Sequence, residues 1–167
     1  SNCDEVELFL NEKSLGKKKM EKNGHLEWQV PYAPGKLEAR GSSQGKQLSA
    51  VRETTGEPAG IVLDPDRSVL TADGADLAWV GVSVVDDHGR IVPTAGNKVR
   101  FSVSGPGKVL GVGNGNPTCH ESVKASQISA FNGLCMVLVQ TTRTLGEIVL
   151  TAESDGLKPC AITLKSK

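Results

Sequence analysis

The sequence predicts an all-β protein in two segments, a small first sheet followed by a longer immunoglobulin-like β-sandwich. The 167 residues include 19 glycines and 8 prolines, which turn-rich antiparallel sheets use and long helices avoid. Apolar residues also recur at every second position in short runs spaced about ten residues apart, which is the pattern of half-buried strands. No run follows the helical period, so helices are not expected.

The first segment contains several alternating runs separated by turn signals. Residues 5–11 place Val6, Leu8 and Leu10 on one face, which predicts a strand. Asn23-Gly24 is a turn signal, and the residues after it place Leu26, Trp28 and Val30 on one face. Strands are therefore predicted at 5–11, 25–31, 35–42 and 47–54.

A change of character at 54–68 marks a linker, because this stretch has two glycines, two prolines and no continuous period. We place the domain boundary near Pro58–Ala59.

The second segment is longer and more apolar. Residues 77–85 place Val80, Val82 and Val84 on one face and Trp79 on the opposite face. Residues 134–141 are apolar on both faces, which predicts a central strand. The remaining strands are predicted at 61–63, 91–92, 97–104, 109–112, 146–153 and 160–165.

Composition excludes several classes of function. Lysine plus arginine equals aspartate plus glutamate at 19 each, so the chain lacks the positive excess of a nucleic-acid-binding protein. No apolar run approaches the ~18 residues of a membrane helix, and no membrane span is expected. The nucleophile-elbow, zinc-protease and phosphate-loop motifs are absent from the sequence. We therefore predict no cofactor.

The four cysteines are Cys3, Cys119, Cys135 and Cys160. None forms the close pair that is typical of a zinc site, so no metal site is predicted. Three disulfide pairings and free buried thiols all remain open.

Oxygen-bearing side chains in the second segment raise the question of a calcium site. None of the stretches matches a calcium-binding loop, and local turn hydrogen bonds explain these residues more simply. They are Asp73, Asp76, Asp86, Asp87, Asn114, Asn116 and Glu121.

Five stretches of this sequence resemble, in the same order, stretches of glycoside hydrolase family 2 enzymes, and of the β-galactosidases in particular. They are N-C-D-E-V-E-L-F-L-N at 2–11, T-T-G-E-P at 54–58, A-D-G-A-D-L at 72–77, G-V-G-N-G-N-P at 111–117 and A-F-N-G-L at 130–134. The sequence departs from the family at Glu12, where glycine is usual, and at Asn116, where aspartate is frequent.

The resemblance implies a multi-domain retaining glycosidase whose two catalytic glutamates lie in a (β/α)8 barrel, and this chain resembles only the region C-terminal to the barrel. It implies two immunoglobulin-like β-sandwich domains in tandem, 1–58 and 59–167, and leaves open an incomplete sandwich for the first. We therefore expect no catalytic residue here, and a non-catalytic accessory role in supporting the barrel or subunit assembly. The expected partners are the remaining domains of the parent enzyme, a second copy in a homo-oligomer, and carbohydrate. An exported parent would place the chain in the periplasm or outside the cell.

Two alternatives stay open at this point. The first is a carbohydrate-binding module, for which Trp79 and Tyr32 are the candidate sugar-contact residues. Trp28 and Phe101 share a face with apolar neighbours and are instead expected in the core. The second is a surface adhesin built from repeated immunoglobulin-like domains.

Overall fold

The computed structural model describes residues 2–167 and is all-β, as predicted, with no helix in that range. No helix of the described residues is long and apolar enough to cross a membrane. The chain divides into two compact units, the first ending at Thr54 and the second beginning at Thr55. The N–H of Thr54 donates to the carbonyl of Gly35 in the first unit, whereas the N–H of Gly56 donates to Asp86 in the second.

The strands of the first unit are β1 (Glu5–Leu10), β2 (Lys13–Lys19), β3 (Lys36–Ser43) and β4 (Lys46–Glu53). They form one antiparallel sheet in the order β2-β1-β3-β4. Val6 and Leu8 of β1 share a face, opposite Glu5 and Glu7, because side chains alternate along a strand. In residues 2–54 no second sheet faces this one, so the structure shows a single layer.

The strand predicted at 25–31 was wrong. These residues form no ladder with any strand of the described chain, although Leu26, Trp28 and Val30 are half-buried. An alternating pattern reports which side chains are buried, but a strand also needs an edge that pairs with its backbone groups. Here the contact with β2 is made by a side chain instead, since Lys18 Nζ donates to the carbonyl of Glu27 at 2.5 Å.

The second unit is a two-layer sandwich. Its strands are β5 (Gly60–Pro65), β6 (Val69–Leu70), β7 (Leu77–Val85), β8 (Lys98–Ser104), β9 (Gly107–Gly113), β10 (Gln127–Ser129), β11 (Leu134–Thr141), β12 (Gly146–Glu153) and β13 (Cys160–Ser166). One sheet has the order β10-β8-β12-β13-β6 and the other the order β5-β7-β11-β9.

The predicted strands of this unit are confirmed with one exception, and two short strands were not predicted. β7 has the predicted bounds, and β11 lies inside its sheet between β7 and β9, as its two apolar faces indicated. The predicted strand at 91–92 is reduced to a single bridge between Ile91 and Val85, because Pro93 cannot donate to a ladder. The sequence pattern missed β6, whose two residues pair in parallel with β13, and β10, which pairs antiparallel with β8.

The core lies between the two sheets. Val80, Val137 and Val139 of one sheet and Ile148 and Leu150 of the other are fully buried. Full burial of such side chains stabilises the fold by about 1.5–3 kcal/mol each. This packed core leaves the outer faces of both sheets free to carry function.

Candidate functional site

The outer face of the sheet β5-β7-β11-β9 carries Trp79, one of the two predicted sugar-contact residues. Its side chain is 45% exposed and points away from the buried valines of β7. The benzenoid end of the indole lies over Gly81, because a Cβ atom placed on that glycine would be 3.1 Å from Cη2 and 3.2 Å from Cζ3. The indole N–H donates to Met136 Sδ at 3.1 Å. One face of the ring is thus seated on the sheet.

Met136 extends the flat surface onto β11. Its Cγ and Sδ atoms lie 3.6 and 3.8 Å from the place where a Cβ of Gly113 would be, so it covers that glycine as Trp79 covers Gly81. We call the surface formed by Trp79, Gly81, Met136 and Gly113, with Asp64 at its edge, the indole shelf.

Asp64 lies directly opposite Gly81 on the neighbouring strand β5. It alternates with buried Leu63, so its exposed side chain is on the same face as the indole. Side chains at opposite positions of an antiparallel pair have Cβ atoms about 5 Å apart, which puts Asp64 beside the ring that covers Gly81. Among residues 2–167 its carboxylate has neither a hydrogen bond nor an ion pair. The sequence could not identify Asp64, because its position depends on the register between β5 and β7.

Tyr32, the second predicted sugar-contact residue, is 83% exposed in the irregular stretch between β2 and β3. It belongs to the first unit and Trp79 to the second. Trp28, which the pattern assigned to the core, is half-buried, with Lys18 Nζ 5.0 Å from its ring centroid. It lines an open cavity of about 690 Å³ together with Lys18, Leu26, Glu27 and Gln29.

The turn after β7 brings together Asp86, Asp87 and His88, with one ligand atom of each within 4.8 Å of the others. Asp86 is fully buried as a side chain and is already saturated. Its Oδ1 accepts the N–H groups of His88 and Arg90, and its Oδ2 accepts the N–H of Gly56 and Nε of Arg90. The carboxylate therefore has no lone pair directed at a metal ion or a substrate.

Burial opposes the ionisation of Asp86, but these hydrogen bonds outweigh it and hold the pKa of Asp86 well below its usual range. Asp86 is thus an ionised structural group. A retaining glycosidase needs two reachable carboxylates about 5 Å apart. Of Asp86 and Asp87, only Asp87 is exposed, so the two residues offer one reachable carboxylate.

Asp73 bonds within its own turn, as the turn interpretation expected, whereas Glu121 and Asn114 also bond neighbouring strands. Asp73 accepts the N–H groups of Ala75 and Asp76, which lowers the pKa of Asp73. Glu121 accepts a hydrogen bond from the N–H of Ser129 and forms an ion pair with Lys98, and both contacts lower the pKa of Glu121. Asn114 and Asn116 likewise hold the loop after β9.

No disulfide joins the four cysteines within residues 2–167. Cys135 is buried in the sandwich core, and this burial raises its pKa to about 12. A buried thiol of this kind behaves as a small apolar side chain and is a poor nucleophile.

The fold and this surface define a non-helical β-sandwich module whose conspicuous feature is an aromatic shelf. The chain belongs to glycoside hydrolase family 2: residues 61–163 match the model described as glycoside hydrolase family 2 C-terminal domain 5. Residues 1–49 match a domain of unknown function (DUF4982).

Similar proteins of known name are much longer than this chain. A β-galactosidase of Bacteroides ovatus (BoGH2A) is 42% identical over 100% of this chain and 20% of its own length. A β-glucuronidase of Formosa agariphila is 33% identical over 99% of this chain and 17% of its own length. The crystal structure of a glycosyl hydrolase family 2 member from Bacteroides cellulosilyticus superposes with a TM-score of 0.95 at 37% identity, over 99% of this chain and 22% of that one. The chain thus spans about a fifth of the length of the relatives that it matches.

Proposed function

We propose that this chain is a non-catalytic accessory module of a longer, β-galactosidase-like retaining glycosidase, in which it supports the catalytic barrel or the assembly of subunits. The observation that carries the proposal is the state of Asp86. Asp86 and Asp87 each have a carboxylate oxygen within 4.8 Å of the other, but Asp86 is buried and fully hydrogen-bonded, which supports a structural role for it and not a catalytic one. The family membership and the lengths of the relatives also support it.

We also propose that the two domains of the accessory module are residues 1–58 and 59–167. The division into compact units after Thr54 and the family match that begins at residue 61 both support a boundary in this region.

The surface that we propose to contact the rest of the enzyme is the apolar face of the first unit. Val6 on β1 and Leu48 on β4 are both in register with Gly41 on β3, so the side chains of Val6 and Leu48 share this face. Leu48 is 45% exposed, which leaves apolar area available to a partner. Burial of apolar area is the main source of favourable free energy in such contacts.

The test uses the longer polypeptide with Leu48→Lys, which places a charge on the proposed contact face. We expect its thermal unfolding midpoint to fall by several degrees, with aryl galactoside turnover below that midpoint retained. Val51→Lys is the matched control, because Val51 lies on the same strand but faces the opposite side and is 36% exposed. Equal unfolding midpoints for the two variants would contradict the proposed contact. Loss of turnover from a folded Leu48→Lys enzyme would contradict the non-catalytic role.

A further inference from the structure

The indole shelf has the geometry of a stacking surface. A ring that serves as a platform must present one face to solvent and be fixed on the other. Trp79 meets both conditions, because it is 45% exposed while Gly81 lies beneath it and Met136 accepts its N–H. The glycines beneath Trp79 and Met136 keep this surface flat. A flat, half-desolvated indole attracts polarised C–H groups because its face carries negative electrostatic potential.

The carboxylate at the edge of the shelf indicates the chemistry of the ligand. Asp64 is exposed, lies beside the ring and has no partner among the described residues. A protein surface packed over Trp79 would desolvate this carboxylate, which is costly unless a donor is supplied. A sugar ring supplies such donors, because it presents C–H groups on one face and hydroxyl groups around its rim. One sugar ring would then contact the Trp79 indole through its C–H groups and the Asp64 carboxylate through its hydroxyl groups.

We infer that the indole shelf binds a neutral carbohydrate chain, with a pyranose ring stacked on Trp79 and its rim hydroxyls donating hydrogen bonds to Asp64. The negative charge of Asp64 disfavours uronic acids, whose carboxylates would be brought close to it. The inference is independent of the accessory role, because it depends only on the surface of the second unit.

The binding experiment uses the 167-residue chain and isothermal titration calorimetry, with β-1,4-galactotetraose and cellotetraose as neutral probes. A hyaluronan tetrasaccharide, which contains glucuronic acid, is the charged probe. We expect saturable binding of at least one neutral probe with a Kd on the order of 1 mM, and no saturation with the charged probe.

Three variants assign the binding to the shelf. Trp79→Ala should abolish it, and Asp64→Asn should weaken it about tenfold because a charged acceptor is lost. Gly81→Val retains the indole but displaces it from its seat, so it should also weaken binding. Trp28→Phe and Asp87→Asn are the matched controls, since each changes the same residue type elsewhere, and both should bind as the parent chain does. Asp64 is exposed and unpartnered, so Asp64→Asn gives a folded test even if Trp79→Ala is unstable.

Three results would overturn the inference. The first is the absence of saturable binding to either neutral probe up to about 10 mM. The second is binding that is unchanged in Asp64→Asn or in folded Trp79→Ala. The third is dimerisation in sedimentation velocity that Trp79→Ala removes while no sugar binds, which would assign the shelf to a second copy of the chain.

Discussion

At the scale of single residues, the hairpin between β1 and β2 shows a conflict between residue type and backbone. Leu10 pairs with Lys13, so Asn11 and Glu12 form a two-residue turn. Both have positive φ, 48° and 67° respectively. Asparagine tolerates this conformation, whereas glutamate has a steric cost that glycine avoids. The structure shows that Glu12 adopts the left-handed conformation despite its side chain.

Glu12→Gly should therefore stabilise the first unit by about 1 kcal/mol, because it removes the left-handed strain. The measurement is urea unfolding followed by the fluorescence of Trp28, in a Trp79→Phe background so that the first unit alone reports. The control is Lys13→Gly, one residue further on within β2, which should destabilise the unit. A Glu12→Gly variant as destabilised as Lys13→Gly would contradict the proposed backbone strain at Glu12.

Asp86 is a residue whose role is visible only in the folded chain. Its carboxylate oxygens accept hydrogen bonds from the N–H groups of Gly56, His88 and Arg90, and Gly56 is 30 positions away in the sequence. The sequence indicated a turn at 86–90 but could not show that the side chain is buried. By contrast, the alternation of β7 was enough to place Trp79 outside the core.

Because the pKa of Asp86 is lowered in the folded state, its ionised form contributes stability that is present above the unfolded-state pKa of about 3.9. That contribution is lost as the pH falls from about 4 towards the lower folded-state value. Asp86→Asn should lower the urea midpoint of the second unit at pH 7 and flatten its decline between pH 5 and pH 2.

The control for this prediction is Asp87→Asn, since Asp87 is exposed and adjacent. It should leave the midpoint at pH 7 nearly unchanged. A pH profile of Asp86→Asn parallel to that of the parent chain would show that Asp86 does not titrate as proposed.

At the scale of elements, the segment 25–31 shows where sequence patterns stop being sufficient. Its alternation matches that of β1, yet only β1 has strand neighbours on both sides. Pairing is a long-range property, and periodicity within one segment contains no information about a partner edge.

We expect the backbone amides of 25–30 to exchange with solvent much faster than those of β3, because no ladder protects them. Hydrogen exchange followed by mass spectrometry measures this directly, with peptides covering 36–42 as the protected reference. Equal protection of the two segments would mean that 25–31 is paired after all.

The loop that enters β3 depends on a close approach between Asn11 and Gly35. Asn11 donates to the carbonyl of Pro34 and accepts the N–H of Lys36, so it brackets the glycine. A Cβ on Gly35 would lie 1.9 Å from Asn11 Oδ1, and the φ of Gly35 is +129°. No pattern within either stretch could have predicted this contact.

Gly35→Ala should destabilise the first unit by about 3 kcal/mol, from the clash together with backbone strain. Gly45→Ala is the matched control, because Gly45 also has a positive φ of +77° but has nothing within 4 Å of the added Cβ. It should cost only about 1 kcal/mol in the same chemical unfolding experiment. Equal losses of unfolding free energy in Gly35→Ala and Gly45→Ala would show that the close contact between Asn11 and Gly35 does not constrain the loop.

At the scale of the whole molecule, the all-β class and the long strands of the second unit were predictable because a two-layer core imposes a period of two on each strand. The binding surface was only half predictable. Trp79 and Gly81 follow from alternation along β7, but Asp64 and Met136 join them through the registers of β5 and β11 with β7, which no local pattern encodes.

The central claim is that this chain has no glycosidase activity of its own. The most direct measurement is hydrolysis of 4-nitrophenyl β-D-galactopyranoside by the purified 167-residue chain, compared with buffer alone. The account predicts no release of 4-nitrophenol above the buffer rate at any protein concentration. Saturable turnover that scales with the concentration of the chain would contradict it and would place catalytic carboxylates within these residues.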